Sequence, residues 1–489
     1  MNGRTPRNPR PRHNAPMPRD ASPTATLLDA IRTLRQLALA REDAARAAID
    51  AADGDWRASA ANLAHYVALR STGHVALQAD LVRHGLSSLS RREAHVMATL
   101  DAVESMLARV EGERPTAAAG DTAAAIDASA ATAERHAREL LGPPEPHTTR
   151  IVVTLPPWSA GDPAFMTNLL EAGMDVARLN ASHGDEAQWR ATLGALRAAA
   201  AAKGRRVPVF LDLPGPKVRT GECASGPVAL VRGDTLVLHA TDGTTTDGAR
   251  DGEGRLLSPP RVAVRPREII EAIAPGHRVL FDDGNIRGRC TAVDRANGEA
   301  TVAIEAVRAG AWPLKDRKGV NVPDTDLPIP AITARDREIL AFATGEGAVD
   351  AVAVSFVRSA RDIADAHAAL DALGARTTGV IAKIETPQAC RALPSILHEL
   401  MKRPPAGAML ARGDLGVEVG FESLPEAQDE ILALCEAAHM PVIWATQVLE
   451  SMTEHGFPTR GEVTDAADAA RADAVMLGIG PFMVETVHF

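Results

Sequence analysis

The sequence predicts an α/β protein: a (β/α)8 TIM barrel with an inserted β-barrel-like lid domain, preceded by an all-helical domain. Three observations carry this. Eight short, nearly continuous apolar runs alternate with Ala-rich helical stretches, as expected for a parallel sheet covered on both faces. One interval, residues 222–330, breaks the alternation with Gly-rich, period-two segments such as DTLVLHA and HRVLFDDGNIRGRCTAV. Residues 24–141 instead repeat apolar positions every three or four residues, the helical period.

In chain order, residues 1–23 (MNGRTPRNPRPRHNAPMPRDASP) have almost nothing to bury and read as a disordered, basic, solvated tail. Over 24–141, LLDAIRTLRQLALAREDAARAAI, NLAHYVALR and REAHVMATLDAVESMLARV predict a domain of three or four helices, with ERPTAAAGDT as a linker. After the joint GPPEPH, the barrel is expected over 148–221 and 331–489. Its strands are RIVVT (150–154), DVARL (175–179), VPVFLD (207–212), DAVAVSF (350–356), GVIAKIE (379–385), GAMLARGD (407–414), PVIWATQ (441–447) and DAVMLG (473–478). The 222–330 insertion falls between the third and fourth, in a loop at the barrel's C-terminal face. An open doubly wound sheet is the alternative; it lacks support because no Gly-rich dinucleotide fingerprint opens the first unit.

At 489 residues the chain holds two or three domains. Aromatics are only 3%, so cores must be aliphatic, and a net charge of −10 argues against a nucleic-acid surface. The four cysteines, Cys223, Cys290, Cys390 and Cys435, have no metal or disulfide spacing and fit free thiols in a reducing compartment. No run approaches the roughly 18 apolar residues of a membrane span, and the N-terminus lacks a secretory signal's apolar core. The expectation is cytoplasmic, with neither membrane nor nucleic-acid partners.

In a β/α barrel, reactive groups project from the C-terminal strand ends. Those ends carry Arg178 and Asn180, Asp212, Ser355, Lys383 and Glu385, Arg412 and Asp414, then Thr446. Charges after buried strands are costly unless paired or functional, and their recurrence on so many strands predicts one shared polar site. Glu385 and Asp414 can offer hard oxygen ligands to Mg²⁺ or Mn²⁺. Lys383 stands two residues before Glu385, on the same side of its strand; alone, the pair would read as a salt bridge. Convergence of Arg178, Lys383 and a divalent ion suits phosphoryl transfer, in which charge spreads over the moving oxygens. The RGD turn at 412–414 can also begin a short turn whose N–H groups face an anion. No Walker-type loop occurs, so a nucleotide would be held by another device.

AGMDVARLNASHG (172–184), LDLPGPKVRTG (211–221), FDDGNI (281–286), KGVNVP (318–323), IAKIET (381–386), LARGDLGVEV (410–419) and ATQVLESM followed by PTRGEVTD (445–465) resemble, in order and spacing, the signature blocks of the pyruvate kinase family. The resemblance covers about residues 148–478. It implies that phosphoenolpyruvate and ADP are the small-molecule partners. It assigns the divalent metal to Glu385 and Asp414, phosphoryl stabilisation to Lys383 and Arg178, and the substrate carboxylate to Gly413, Asp414 and Thr446. Arg178, Asn180, His183, Arg219 and Lys318 would face the nucleotide, Lys318 arriving on the lid. Asn180, Ser182, Asp212 and the Leu213 carbonyl correspond to the family's potassium ligands. Many members carry Glu where this chain has Lys217. Lys217 placed beside Asp212 is therefore expected to replace potassium, leaving a requirement for Mg²⁺ or Mn²⁺ alone.

Three departures stand out. Pro156-Pro157-Trp158-Ser159 replaces the family's GPAS, and Gly478-Ile479-Gly480-Pro481 replaces its SGETA, which belongs to an enolate-protonating network. The chain stops at Phe489, so the family's regulatory C-terminal domain is expected to be absent. GPFMVETVHF is short for a last barrel helix, and the helical domain or a second subunit is expected to cover the wall beside strands eight and one. Homo-oligomers through the barrel and the N-terminal helices would follow. Two other functions use the same residues: a metal-dependent lyase or aldolase acting on pyruvate enolate, and a catalytically impaired homologue with a regulatory role. A lyase needs no nucleotide clamp of Arg219 and Lys318, whereas intact Lys383, Glu385, Asp414, Arg178 and Thr446 argue against an impaired homologue.

Overall fold

The computed structural model describes residues 22–489, apart from 74, 117–120, 145–148, 224–225, 241–243 and 346–348. The tail expected over 1–23 therefore lies, up to residue 21, outside the described residues, as do parts of the linker at 117–120 and of the joint at 145–148. Among the described residues no helix is long and apolar enough to cross a membrane.

Eight strands close into a parallel barrel: β1 (Arg150–Thr154), β2 (Val176–Asn180), β3 (Val209–Asp212), β4 (Ala351–Val354), β5 (Gly379–Ile384), β6 (Ala406–Ala411), β7 (Val442–Ala445) and β8 (Ala474–Leu477). Each pairs with its sequence neighbour, and β1 closes the ring on β8, Arg150 opposite Ala474. Buried on both faces, these strands need apolar side chains at nearly every position, which is why they read as runs rather than alternations. Residues expected at the end of β6 behave differently. Arg412–Val419 is a helix, so Asp414 sits in its first turn rather than on the strand.

Between β3 and the helix Ala334–Thr344 the chain leaves the barrel to build a seven-stranded sheet that takes in Arg219–Thr220 and Val320–Asn321. Its long hairpin, Ile286–Asp294 and Glu299–Val307, alternates buried and exposed side chains. The buried ones form a separate core around Phe281, Val279, Ile286 and Val302. Two stretches of chain connect sheet and barrel, so the lid is an independently packed body on a double hinge.

The helical region contains six α-helices rather than three or four, because Arg46–Ala51 and Val75–Arg83 are separate short pieces. Its last helix, Thr122–Leu141, is capped by Asp121, which accepts from Ala124 N–H at 3.1 Å. The far end of this helix closes the bottom of the barrel. Leu140 and Leu141 join Val152, Phe210, Ile381, Met409 and Ile443 in the core inside the ring of strands. A Cβ on Gly407 would fall 2.4 Å from the Leu140 side chain, so glycine there leaves room for the plug. Just above, the buried Arg150 donates to the Gly142 carbonyl at 2.6 Å and pairs with Glu134 at 3.0 Å.

Side chains of the helical region also satisfy the loops under the barrel. His136 Nδ1 donates to the His439 carbonyl at 2.9 Å while its ring stacks on Trp56 at 3.5 Å. His439 Nε2 donates to the Ala94 carbonyl at 2.9 Å, which leaves its Nδ1 to accept from Ser59 at 2.8 Å. Asn62 donates to the Ala437 carbonyl at 2.9 Å. The region thus packs under the barrel and against helices Pro387–Leu400 and Leu424–Ala437. This corrects the expectation that it covers the wall beside β8 and β1. There the short helix Met483–His488 lies against helices Pro163–Ala172 and Glu450–His455, with Met483 and Val487 buried.

The plug is testable. Leu140→Ala removes a side chain that is 3% exposed from a site where a cavity cannot easily collapse. The expected loss is about 2–5 kcal/mol, read by urea denaturation of the full chain; an unchanged midpoint would remove Leu140 from the barrel core.

Candidate active site

The C-terminal strand ends open into one cleft of about 380 Å³. Arg178, Asn180, Ser182, His183, Asp212 and Leu213 line it, and so do Lys217, Arg219, Lys383, Glu385, Gly413, Asp414 and Thr446. Of the residues singled out in the sequence, Lys318 alone is not on this wall. Its ammonium is 2.7 Å from Asp282, which also accepts from Trp312 at 2.7 Å, so it is held within the lid.

The centre is a dense charge network. Lys383 Nζ donates to Ser355 Oγ at 2.8 Å and stands 3.3 Å from Glu385 and 3.7 Å from Asp212. Burial alone would lower its pKa, but Asp212 and then Glu385 outweigh burial and raise it, so the ammonium stays charged. Arg178 is fixed by Asp212, Nε to Oδ2 at 3.1 Å, and by Thr154 at 3.1 Å. Burial pushes the Asp212 carboxyl up, Lys383 and Arg178 pull it down, and the net shift is downward. Ser355 passes the network on by donating to the Leu213 carbonyl at 2.7 Å.

Glu385 is the least satisfied member. Its Oε1 accepts from Phe356 N–H at 2.6 Å, while its buried Oε2 has no hydrogen-bond partner. Burial raises its pKa and Lys383 offsets this only partly; Asp414 and Asp212 push the same way as burial. A buried carboxylate oxygen without a donor, beside a second carboxylate on the next strand's loop, is a donor set that fits a hard divalent cation with room for substrate oxygens. Asp212 Oδ1 is likewise buried without a partner.

Lys217 is not where the sequence placed it. The expectation seated it beside Asp212; the structure gives that carboxylate to Arg178 and Lys383 and pairs Lys217 with Asp414 Oδ1 at 2.9 Å. The ammonium also lies 5.6 Å over the Phe356 ring. A Cβ at Gly319 would meet the Lys217 side chain at 2.9 Å, so this glycine of the returning hinge makes room for it.

The turn after β6 is braced from β7. Arg412 reaches the Ala445 carbonyl at 3.3 Å and forms an ion pair with Asp465. Gly413 N–H donates to Thr446 Oγ at 2.7 Å, and Thr446 and Gln447 take left-handed φ values of 70° and 54°. At Phe356, φ is 55°, which aims its N–H at Glu385. Non-glycine residues in this region cluster at functional sites. Ser355 as a bridge and the Phe356 N–H were missed as site members, because a backbone donor and a positive φ leave no mark on residue type.

A family model described as pyruvate kinase, barrel domain, matches residues 146–481. A pyruvate kinase of Mycobacterium intracellulare is 40% identical over 330 residues, covering 67% of this chain and 64% of its own length. One from Geobacillus stearothermophilus is 36% identical over 345 residues, covering 69% of this chain and 55% of its own. That of Mycobacterium tuberculosis H37Rv is 39% identical over 330 residues, covering 67% and 64%. The chain thus spans less than two thirds of the length of these relatives.

Since Lys217 neutralises Asp414, it competes with any cation held there. Lys217→Gln is expected to tighten Mn²⁺ binding by about three- to tenfold, the scale of a partly buried ion pair. Calorimetric titration of Mn²⁺ checks this, and equal or weaker binding would place the ion away from Asp414.

Proposed function

The chain belongs to the pyruvate kinase family, and on that premise we propose that it transfers the phosphoryl group of phosphoenolpyruvate to ADP, yielding pyruvate and ATP. The observation that carries this reading is the convergence of Lys383 and Arg178 with Glu385 and Asp414 on one cleft. Phosphoryl transfer asks a protein for positioning and positive charge more than for covalent chemistry.

Lys383, kept charged by its two carboxylates, and Arg178, locked by Asp212 and Thr154, stabilise the oxygens of the phosphoryl group in transit. Glu385 and Asp414 would hold Mg²⁺ or Mn²⁺, which when bound neutralises and orients phosphoryl and enolate oxygens. The Gly413 and Asp414 N–H groups and Thr446 Oγ take the substrate carboxylate, which displaces the bond between Gly413 and Thr446. Asn180, His183 and Arg219 face the nucleotide from the rim. Lys318 joins them once the lid closes and the nucleotide outbids Asp282. Closure also excludes water, so that ADP receives the phosphoryl group. The enolpyruvate left behind takes a proton, a step we assign to water because Gly478–Pro481 lacks the family's Ser and Glu. The lyase reading would use the same carboxylates but leaves Arg219 and Lys318 without a role. The four free thiols support a reducing, cytoplasmic setting.

We further propose that activity is independent of potassium. In support, Lys217 brings a tethered positive charge into the cleft. The opposing feature is Asp212 Oδ1, unpartnered and open to a monovalent ion.

Pyruvate formation from phosphoenolpyruvate and ADP, followed in a coupled assay with Mg²⁺, is the primary test. Lys383→Met should lower kcat at least 10²–10³-fold with an intact circular dichroism spectrum; no pyruvate from the parent chain rejects the assignment. Replacing potassium by a bulky organic cation is expected to leave the rate unchanged, and a collapse would assign potassium to Asp212.

A further inference from the structure

The double hinge of the lid separates two cavities. Besides the active-site cleft there is a groove of about 1160 Å³, roughly three times the cleft's 380 Å³. Lys217 and Arg219 line both, so the first hinge segment is the partition between them. The groove has both lid and barrel walls, reaching from Arg265 and Arg267 down to Ile329 and Thr333.

Its charge opposes that of the whole protein. Lys217, Arg219, Arg265, Arg267 and Arg317 face it, against the carboxylates of Glu222 and Glu268. In a chain of net charge −10 this is a local reversal of sign. Strand register makes the point sharper. Arg219 and Arg265 are directly opposite one another on antiparallel strands, so both side chains leave the same face of the sheet. Like charges opposed in this way destabilise a strand pair unless something negative lies between them. Arg219 also donates to the Arg317 carbonyl at 3.0 Å, which brings a third arginine into the row. Arg317 pairs with Glu222 at 2.9 Å and Arg267 with Glu271 at 2.9 Å, and all four side chains are more than half exposed. Exposed pairs of this kind contribute little and give way to a better anion.

We propose that this groove binds a compact polyanion with two or more phosphoryl groups, either a free polyphosphate or a bisphosphorylated small molecule. Planar guanidinium forks match phosphoryl oxygens two at a time, and the groove is too large and too positive for a single inorganic phosphate. A ligand held by Arg265 and Arg267 on the lid and by Arg219 and Arg317 at the hinge ties the two bodies together. It therefore biases the lid position that the active site depends on. The site does not depend on the identity of the reaction in the neighbouring cleft.

The test is calorimetric titration of the full chain with tripolyphosphate in metal-free buffer, with and without saturating ADP. Binding is expected in both conditions, together with a rise in Tm. Arg265→Ala/Arg267→Ala should bind at least tenfold more weakly and lose the Tm rise, while its activity without polyanion stays at the parent level. Arg267→Gln should give an intermediate loss. The proposal is overturned by no binding, by equal affinity in the double variant, or by binding that ADP abolishes, which would make the groove part of the nucleotide site.

Discussion

Everything at the mouth of the barrel depends on one buried ammonium. Lys383 is held between Asp212 and Glu385, and each of these carboxylates is tolerable in the interior only because the lysine is there. Removing one partner from such a network leaves an uncompensated buried charge, which costs more than any single contact returns. The network is incomplete on one side, where Glu385 Oε2 and Asp212 Oδ1 have no donors. A site with negative charge left over among fixed cations is arranged to receive something doubly positive and something phosphorylated together.

A closed parallel barrel is what allows that density. The eight strands deliver their C-terminal ends to one mouth, so residues far apart in sequence, such as Asp212 and Thr446, share a wall. The opposite end must then be sealed. With few aromatics available, the interior is filled by alanines, methionines and branched residues, and by Leu140 entering from outside the ring. The helical region is therefore part of the barrel's core rather than an appendage. His136, Ser59 and Asn62 serve the loops it lies under, pairing backbone groups that burial would otherwise strand.

The lid is a different kind of body, with its own core and two hinge strands. Lys217, at the first hinge, touches the metal-side carboxylate Asp414 on one side and faces the rear groove on the other. Lid position and charge at the catalytic centre are consequently linked through a few side chains rather than through the barrel.

By itself, the sequence determined the class of fold and the roster of chemical groups. Doubly buried strands must be apolar runs, and charges directly after them are improbable without a use, so Arg178, Asp212, Lys383 and Glu385 declared themselves. Strand limits were legible to within a residue or two at β2 and β5, where the apolar run stops at a charge. Pairings were not legible. Lys217 is near Asp212 in the chain, yet Asp212 was already taken by cations from β2 and β5, and Asp414, nearly two hundred residues away, took the lysine instead. The plug by Leu140, the donor at Phe356 N–H and the facing of Arg219 with Arg265 were likewise decided by tertiary structure. Residue type and local pattern set what a side chain can offer. Which partner accepts the offer depends on distances across the fold that no local pattern encodes.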